Sequence, residues 1–364
     1  MSEHTPQPED RAQRPPLVTF AIFTFNQEKF AREAVDAAFA QTYEPIEIIL
    51  SDDCSSDRTL EILQTMAREY RGSKHVIVRQ TKNNCGTLPH VAEVAKLARG
   101  ELLVLAAGDD VSKPQRTATL VEAWQASGAW GLCSRFDRID ETGRLTGRDE
   151  TVPILTSPDY SLRQYFSRRQ NEVKIIHGAT SAYDKRLFDF LDLQPEDYVL
   201  SEDGALSVLL NLLNKDVKML QDSLVCYREN EQSLTNGKKS GPITLQKTRN
   251  DERAIERFAR SQANRCRLFL RLQEKYGASS ETPLDVNRLR DELAKQILCA
   301  SWREASVGKK IRHLLKTRSA AELKWYLPRL LPEPLFIAAK TLIKSTRQRH
   351  GANRKAAPLV DEKN

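Results

Sequence analysis

The sequence has little of what several common protein classes require. No run of about 18 apolar residues occurs, which excludes a transmembrane helix of ordinary length. The six cysteines, Cys54, Cys85, Cys133, Cys226, Cys266 and Cys299, form no CxxC pair and no metal-finger spacing. With no signal-peptide pattern either, they are expected to be reduced thiols of a cytoplasmic protein. No GxGxxG follows the first apolar run, which argues against a dinucleotide-binding Rossmann enzyme. A Gly-rich, Lys/Arg-bearing triphosphate loop is also missing, which argues against a nucleotidyltransferase. A large net charge of one sign is confined to one end of the chain. Residues 301–364 hold 15 Lys/Arg against 5 Asp/Glu, or +10, while the whole chain carries +7, so the first 300 residues sum to −3. The basic character therefore belongs to the tail, and no nucleic-acid partner is expected for the main domain.

What is there is an alternation of apolar runs and helical patterns. Leu17–Phe23, Ile46–Leu50, Val76–Val78 and Leu102–Ala107 read as strands, the first, second and fourth apolar enough to be buried on both faces. Between them, residues 30–39, 58–70 and 89–98 have helical spacing, and Pro114 opens another helical stretch to Ser127. Asn26 is expected as the cap of the first helix. Strands and helices alternating in this way give a parallel sheet built by right-handed crossovers. Two strands end in paired acids, Asp52-Asp53 and Asp109-Asp110. In such sheets the carboxyl edge is where ligands bind. Adjacent acids cannot pack into a core, so they face water or hold a cation. One pair alone is better explained by a solvated turn; two on the same edge point to a nucleotide site.

Thr24-Phe25-Asn26, Gln41-Thr42-Tyr43, Asp52 through Asp57 and Gly108-Asp109-Asp110 resemble, in order and spacing, the N-terminal motifs of family-2 glycosyltransferases. The resemblance covers about 17–115 and resumes at 177–235. There His177-Gly178-Ala179-Thr180 resembles the acceptor-side loop, and Glu202-Asp203 the acidic pair that supplies the base. Leu224 through Arg228 and then Ser233 resemble the strand and loop that close the site, with Asn230 where many members have His. The implied fold is α/β, a GT-A-like, Rossmann-type, mostly parallel sheet flanked by helices. The implied activity is inverting transfer of a sugar from a UDP- or dTDP-linked donor to a hydroxyl of a surface-glycan or lipid-linked acceptor. Thr24, Phe25, Asn26, Asp53 and Gly108 would hold the nucleotide. Asp109 and Asp110 would hold Mg²⁺ or Mn²⁺, Asp203 would be the base, and His177, Gly178, Glu202 and Arg228 would line the acceptor and closing loop. The chain departs from the family's Asp-x-Asp metal motif, Ala107 standing at its first acid. That departure motivates an alternative of another class, a non-catalytic sugar-nucleotide-binding or scaffold protein. Arg228 could equally bind diphosphate or pair with a carboxylate.

The expected divisions are a flexible lead at 1–16, the transferase domain at 17–240, a helical C-terminal extension at 241–350 and a flexible tail at 351–364. In the extension, residues 245–276 and 285–302 have helical patterns, and 335–344 is a short apolar-basic helix followed by Arg347 and Arg349. Aromatics, leucines and cations together suit an anionic membrane surface on the inner face of the cell membrane. Docking on the main domain or a homodimer contact accounts for the apolar part equally well.

Overall fold

The computed structural model describes residues 14–150, 160–230, 244–316 and 326–355. The expectations for Ser233, for the composition change at 236–242 and for the chain end after 355 lie outside those residues. By compactness the chain divides into two units, Met1–Gly237 with Asn264–Glu292, and Lys238–Ala263 with Leu293–Asn364.

The first unit is built on one sheet. Strands β1 (Val18–Thr24), β2 (Ile46–Asp52), β3 (His75–Gln80) and β4 (Leu102–Ala107) are mutually parallel in the order 3-2-1-4. Helices α1 (Ala31–Phe39), α2 (Thr59–Glu69) and α3 (Thr87–Leu97) form the crossovers. This is the expected α/β architecture, and the helix and strand bounds fall within about two residues of the sequence expectation. Beyond β4 the sheet is mixed. The later strands are β5 (Val111–Ser112), β6 (Gly131–Ile139), β7 (Leu145–Glu150), β8 (Ala182–Asp184) and β9 (Val217–Arg228). β8 joins β4 and β6 antiparallel, β9 lies parallel to β6, and β5 closes antiparallel on β9.

Alternation along β1 sets the two faces of the sheet. Val18, Phe20 and Ile22 pack with Ala34, Val35 and Ala38 of α1, Leu63 and Met66 of α2, and Leu120 of α4 (Arg116–Ser127). Ala21, with Ile49 and Leu103, belongs to the opposite core, under Val91 and Val94 of α3 and Leu206 and Leu209 of α6 (Glu202–Leu212). A short α5 (Tyr160–Arg163) lies between β7 and β8 in sequence. The expected helix over 245–276 is α7 (Leu245–Tyr276), and α8 runs over Val286–Ala300. The division at 240 needs adjustment. Leu268, Phe269 and Leu272 of α7 and Leu289 of α8 pack into the same core as α6, so Asn264–Glu292 belongs with the sheet.

In the second unit are α9 (Val307–Lys316) and α10 (Glu333–Lys355). Phe336 and Ile337 of α10 are buried, and Lys340 and Lys344 form ion pairs with Glu252 and Asp251 of α7. Docking within the unit thus occupies that face of the expected apolar-basic helix. No described helix is long and apolar enough to cross a membrane.

Candidate active site

Three parallel strands end level with one another. Thr24 pairs with Asp52 and Phe23 with Ala107, so the segments after β1, β2 and β4 share one edge. Asp53 N donates to Thr24 O at 2.8 Å and Gly108 N to Phe23 O at 2.9 Å. A Cβ on Gly108 would lie 2.4 Å from Thr24 Cγ2, so only glycine lets the two segments approach. Phe25, 46% exposed, presents its ring at this edge.

Asn26 is not a helix cap. It has φ 53°, and α1 starts at Ala31 with no side-chain cap. Its Oδ1 accepts from Ser56 N at 2.8 Å, and its own N donates to Ser55 Oγ at 2.8 Å. Gln27 N and Glu28 N donate to Thr59 Oγ1 and Asp57 Oδ2. The Asp52–Asp57 turn, with Cys54 at φ 59°, therefore clasps the segment after β1.

Both acids of the first pair are buried and fully used. Asp52 accepts from Thr24 Oγ1 (3.1 Å), Ser55 Oγ (2.5 Å), Ser55 N (2.8 Å) and Gln80 Nε2 (3.0 Å). Asp53 accepts from Thr81 Oγ1 (2.8 Å), Cys85 N (3.0 Å), Cys85 Sγ (3.2 Å) and Gly86 N (3.1 Å). A carboxylate offers about four acceptor sites, so each is saturated. Burial and the neighbouring Asp53 push the Cys85 thiol up to about 12, which keeps it a neutral donor. Behind this turn His90 Nε2 lies 2.5 Å from Ser51 Oγ, and its ring stands edge-on to Phe23 at 5.0 Å. Burial lowers His90 to about 4, so the imidazole is neutral.

The second pair is poorly supplied with donors. Asp109 Oδ2 accepts from Asn230 Nδ2 at 2.8 Å, and Gln27 also bonds this carboxylate. Asp110 Oδ1 accepts from Arg228 N at 2.8 Å, while its buried Oδ2 has no hydrogen-bond partner. Burial raises both carboxyls above the ordinary aspartate value, Asp110 well above it, with repulsion from Asp109 as the second cause. An orphaned buried oxygen beside a second carboxylate is a hard-oxygen donor set, which fits Mg²⁺ or Mn²⁺. Among the described residues no group of three or more His, Cys, Asp or Glu could complete such a site, so further ligands would have to be phosphate or water.

Two arginines frame this turn. Arg228 is buried, and its guanidinium faces protein on every side that is described. Nε donates to Asp109 O (2.8 Å), Nη1 to Asp140 O (3.1 Å) and Glu141 O (3.2 Å), and Nη2 pairs with Glu33. Of the two roles open to Arg228, pairing with a carboxylate is the one present in the structure, through Glu33. Arg116 was not anticipated. Fully buried at the start of α4, it donates to Ser112 Oγ (2.8 Å) and to the carbonyl of Leu105 (2.7 Å). Burial lowers it to about 10, with Asp110 opposing the shift. Nothing in the spacing of an arginine two residues after Pro114 marks it as buried.

The later acids form a second cluster. Asp203, at the start of α6, accepts from Ser201 Oγ (2.7 Å) and Gly204 N (2.7 Å) through Oδ1 and from Gly178 N (3.3 Å) through Oδ2. A Cβ on Gly178 would fall 2.5 Å from Glu202 Oε1, so glycine brings the His177 loop against both acids. The His177 ring stacks on Phe136 at 5.6 Å and lies 5.9 Å from Tyr227. Its Nδ1 is buried without a partner, and burial lowers its pKa while Asp203 opposes that shift. The three clusters touch. Tyr227, beside Arg228, meets His177, and Leu88 N and Tyr198 OH join the Asp53 loop to the segment before Glu202 through Val199 O (3.1 Å) and Asn84 Oδ1 (3.2 Å).

The model of glycosyl transferase family 2 matches residues 19–191. Among curated relatives, the uncharacterized glycosyltransferase EpsJ of Bacillus subtilis is 28% identical over 224 residues, 60% of this chain and 63% of its own length. Glycosyltransferase GlyG of Streptococcus pneumoniae is 25% identical over 223 residues, 60% of this chain and 72% of its own. The match thus spans less than two thirds of EpsJ. Among solved structures, S. aureus TarS 1-349 in complex with UDP superimposes with a TM-score of 0.48 and 17% identity over 95% of both chains.

Proposed function

From the match of residues 19–191 to glycosyl transferase family 2 we propose that the chain moves a sugar from a UDP- or dTDP-linked donor to a hydroxyl of a surface-glycan or lipid-linked acceptor, inverting the anomeric carbon. The observation that carries the proposal is the contrast between the acids on one sheet edge: Asp52 and Asp53 are saturated, whereas Asp109 and Asp110 are buried with an orphaned oxygen.

In this reading the exposed Phe25 ring stacks on the base. A base N–H reaches Asp53 by taking the place of the Cys85 thiol, the weakest of that carboxylate's four donors. Asn26 and Gly108 act through shape, one bracing the turn and the other admitting the segment after β1. Asp109, with Asp110 behind it, holds Mg²⁺ or Mn²⁺, which when bound offsets the charge on the leaving diphosphate. Asp203 takes the proton of the attacking hydroxyl. Ser201, Gly204 and Gly178 fix its orientation. His177 and Glu202 border the space where the acceptor would lie, His177 neutral because of burial.

The test separates binding from turnover. Asp203→Asn should keep the thermal stabilisation by UDP with Mn²⁺ and lose about 10²- to 10⁴-fold in turnover of a donor screened against a lipid-linked glycan extract. Equal turnover in that variant removes Asp203 from the base role. Ala107 favours the second reading, a non-catalytic nucleotide-sugar-binding protein. Donor binding with neither transfer nor hydrolysis, and gain of turnover in Ala107→Asp, would favour it.

A further inference from the structure

The second unit carries an apolar stripe that its own interior does not use. On α9, Val307, Ile311 and Leu315 are 69%, 51% and 82% exposed. Spaced by four, they line one side of the helix. The opposite side is the docked one: the His313 ring lies 4.6 Å from that of the buried Tyr326, and Lys310 lies 5.8 Å from the ring of the buried Trp302. Arg312, three residues before Leu315, is exposed beside the stripe. Between Glu304 and Glu322 the sequence has no acid and five cations: Lys309, Lys310, Arg312, Lys316 and Arg318.

We propose that the Val307–Ile311–Leu315 face of α9, with Arg312 beside it, docks on an anionic lipid surface. An apolar stripe bordered by a cation on a helix without acids is the pattern that lies in the plane of a bilayer, the stripe among acyl chains and the cation among headgroups. Anionic headgroups supply the charge that α9 lacks. A second copy fits less well, because a symmetric contact would set two such acid-free, basic helices, Arg312 included, against each other. A purely polyanionic partner would leave Val307, Ile311 and Leu315 unused. The assignment rests on α9 rather than on α10, whose Phe336, Ile337, Lys340 and Lys344 are engaged within the unit while Leu335, Leu342 and Ile343 stay exposed, and it stands independently of the sugar-transfer reading.

The experiment is sedimentation of the full chain with vesicles of phosphatidylcholine alone or with about one third phosphatidylglycerol, in low and moderate salt. The full chain should partition at least about tenfold better onto the anionic vesicles. Arg312→Glu should lose at least about fivefold, and Ile311→Ser with Leu315→Ser about tenfold. Phe258→Ser, at an exposed apolar residue of α7, should bind as the unaltered chain does. All these side chains are exposed, so unchanged melting temperatures confirm that the variants fold. Failure of the unaltered chain to prefer anionic vesicles overturns the proposal. So does anionic binding that Ile311→Ser with Leu315→Ser leaves intact, which would assign the cations to a soluble polyanion. A dimer that this variant turns into a monomer would assign the stripe to a second copy and overturn it likewise.

Discussion

Asp52-Asp53 and Asp109-Asp110 are the same dipeptide at the ends of the two parallel strands that flank β1, yet they are built to opposite purposes. The first pair is followed by Cys54-Ser55-Ser56 and faced by Gln80, Thr81 and the Cys85–Gly86 backbone, so its two carboxylates meet eight donors. The second is followed by Val111, which contributes no side-chain donor, and it leans on Asn230, Gln27 and the backbone of Arg228. A buried carboxylate with enough donors is a brace; one without them is a site for positive charge. What decides between the two is not the acids but the donors their neighbours bring.

The largest expected effect tests the brace. Asp52→Ala strands four donors, which should cost about 3–5 kcal/mol and lower the melting temperature by roughly 10 °C. Asp109→Asn, by contrast, should not destabilise the metal-free protein. Acid separates the two turns by sign. His90, neutral behind the first turn, has a folded pKa near 4, below its ordinary value of 6.5. Between those values the unfolded chain binds a proton that the native state does not, so stability falls by about 3 kcal/mol as pH drops from about 6.5 to about 4. His90→Gln should flatten that slope in a melting series. Asp110, raised in the native state, acts the other way: its contribution is present at low pH and is lost as pH rises through its folded pKa. The smallest effect concerns the base. Cys85→Ala frees one acceptor site on Asp53 and should tighten UDP by about twofold to tenfold in a titration, with little change in melting temperature.

The parallel half of the fold was legible because each strand has a mostly apolar centre and each crossover helix has a clear stripe, as in Ile46–Leu50 and residues 58–70. The antiparallel half was not, because β6, β7 and the early part of β9 mix charged and apolar residues, as Gly131–Ile139 does with Arg135, Asp137 and Arg138. The positions of the acids at strand ends could be read directly. Their occupancy could not, since Thr81, Gln80 and Asn230 come from distant segments. Asn26 was misread as a cap because asparagine favours both caps and the left-handed region, and the partner that decides, Ser56, lies thirty residues away. Arg116 and the buried setting of Arg228 gave no sequence signal, because burial of an arginine depends on carbonyls such as those of Leu105 and Asp140 that any residue could supply.

The most direct test of the contrast is the melting temperature of the unaltered chain, Asp53→Asn and Asp109→Asn near pH 7, with and without Mn²⁺ and UDP. The expected result is a rise with Mn²⁺ and UDP in the unaltered chain; Asp109→Asn should be as stable as that chain or about 1 kcal/mol more so without metal, and show no rise from Mn²⁺. Asp53→Asn should be destabilised under every condition and still respond to Mn²⁺. The account is contradicted if Asp109→Asn is destabilised without metal as Asp53→Asn is, and Mn²⁺ still raises its melting temperature.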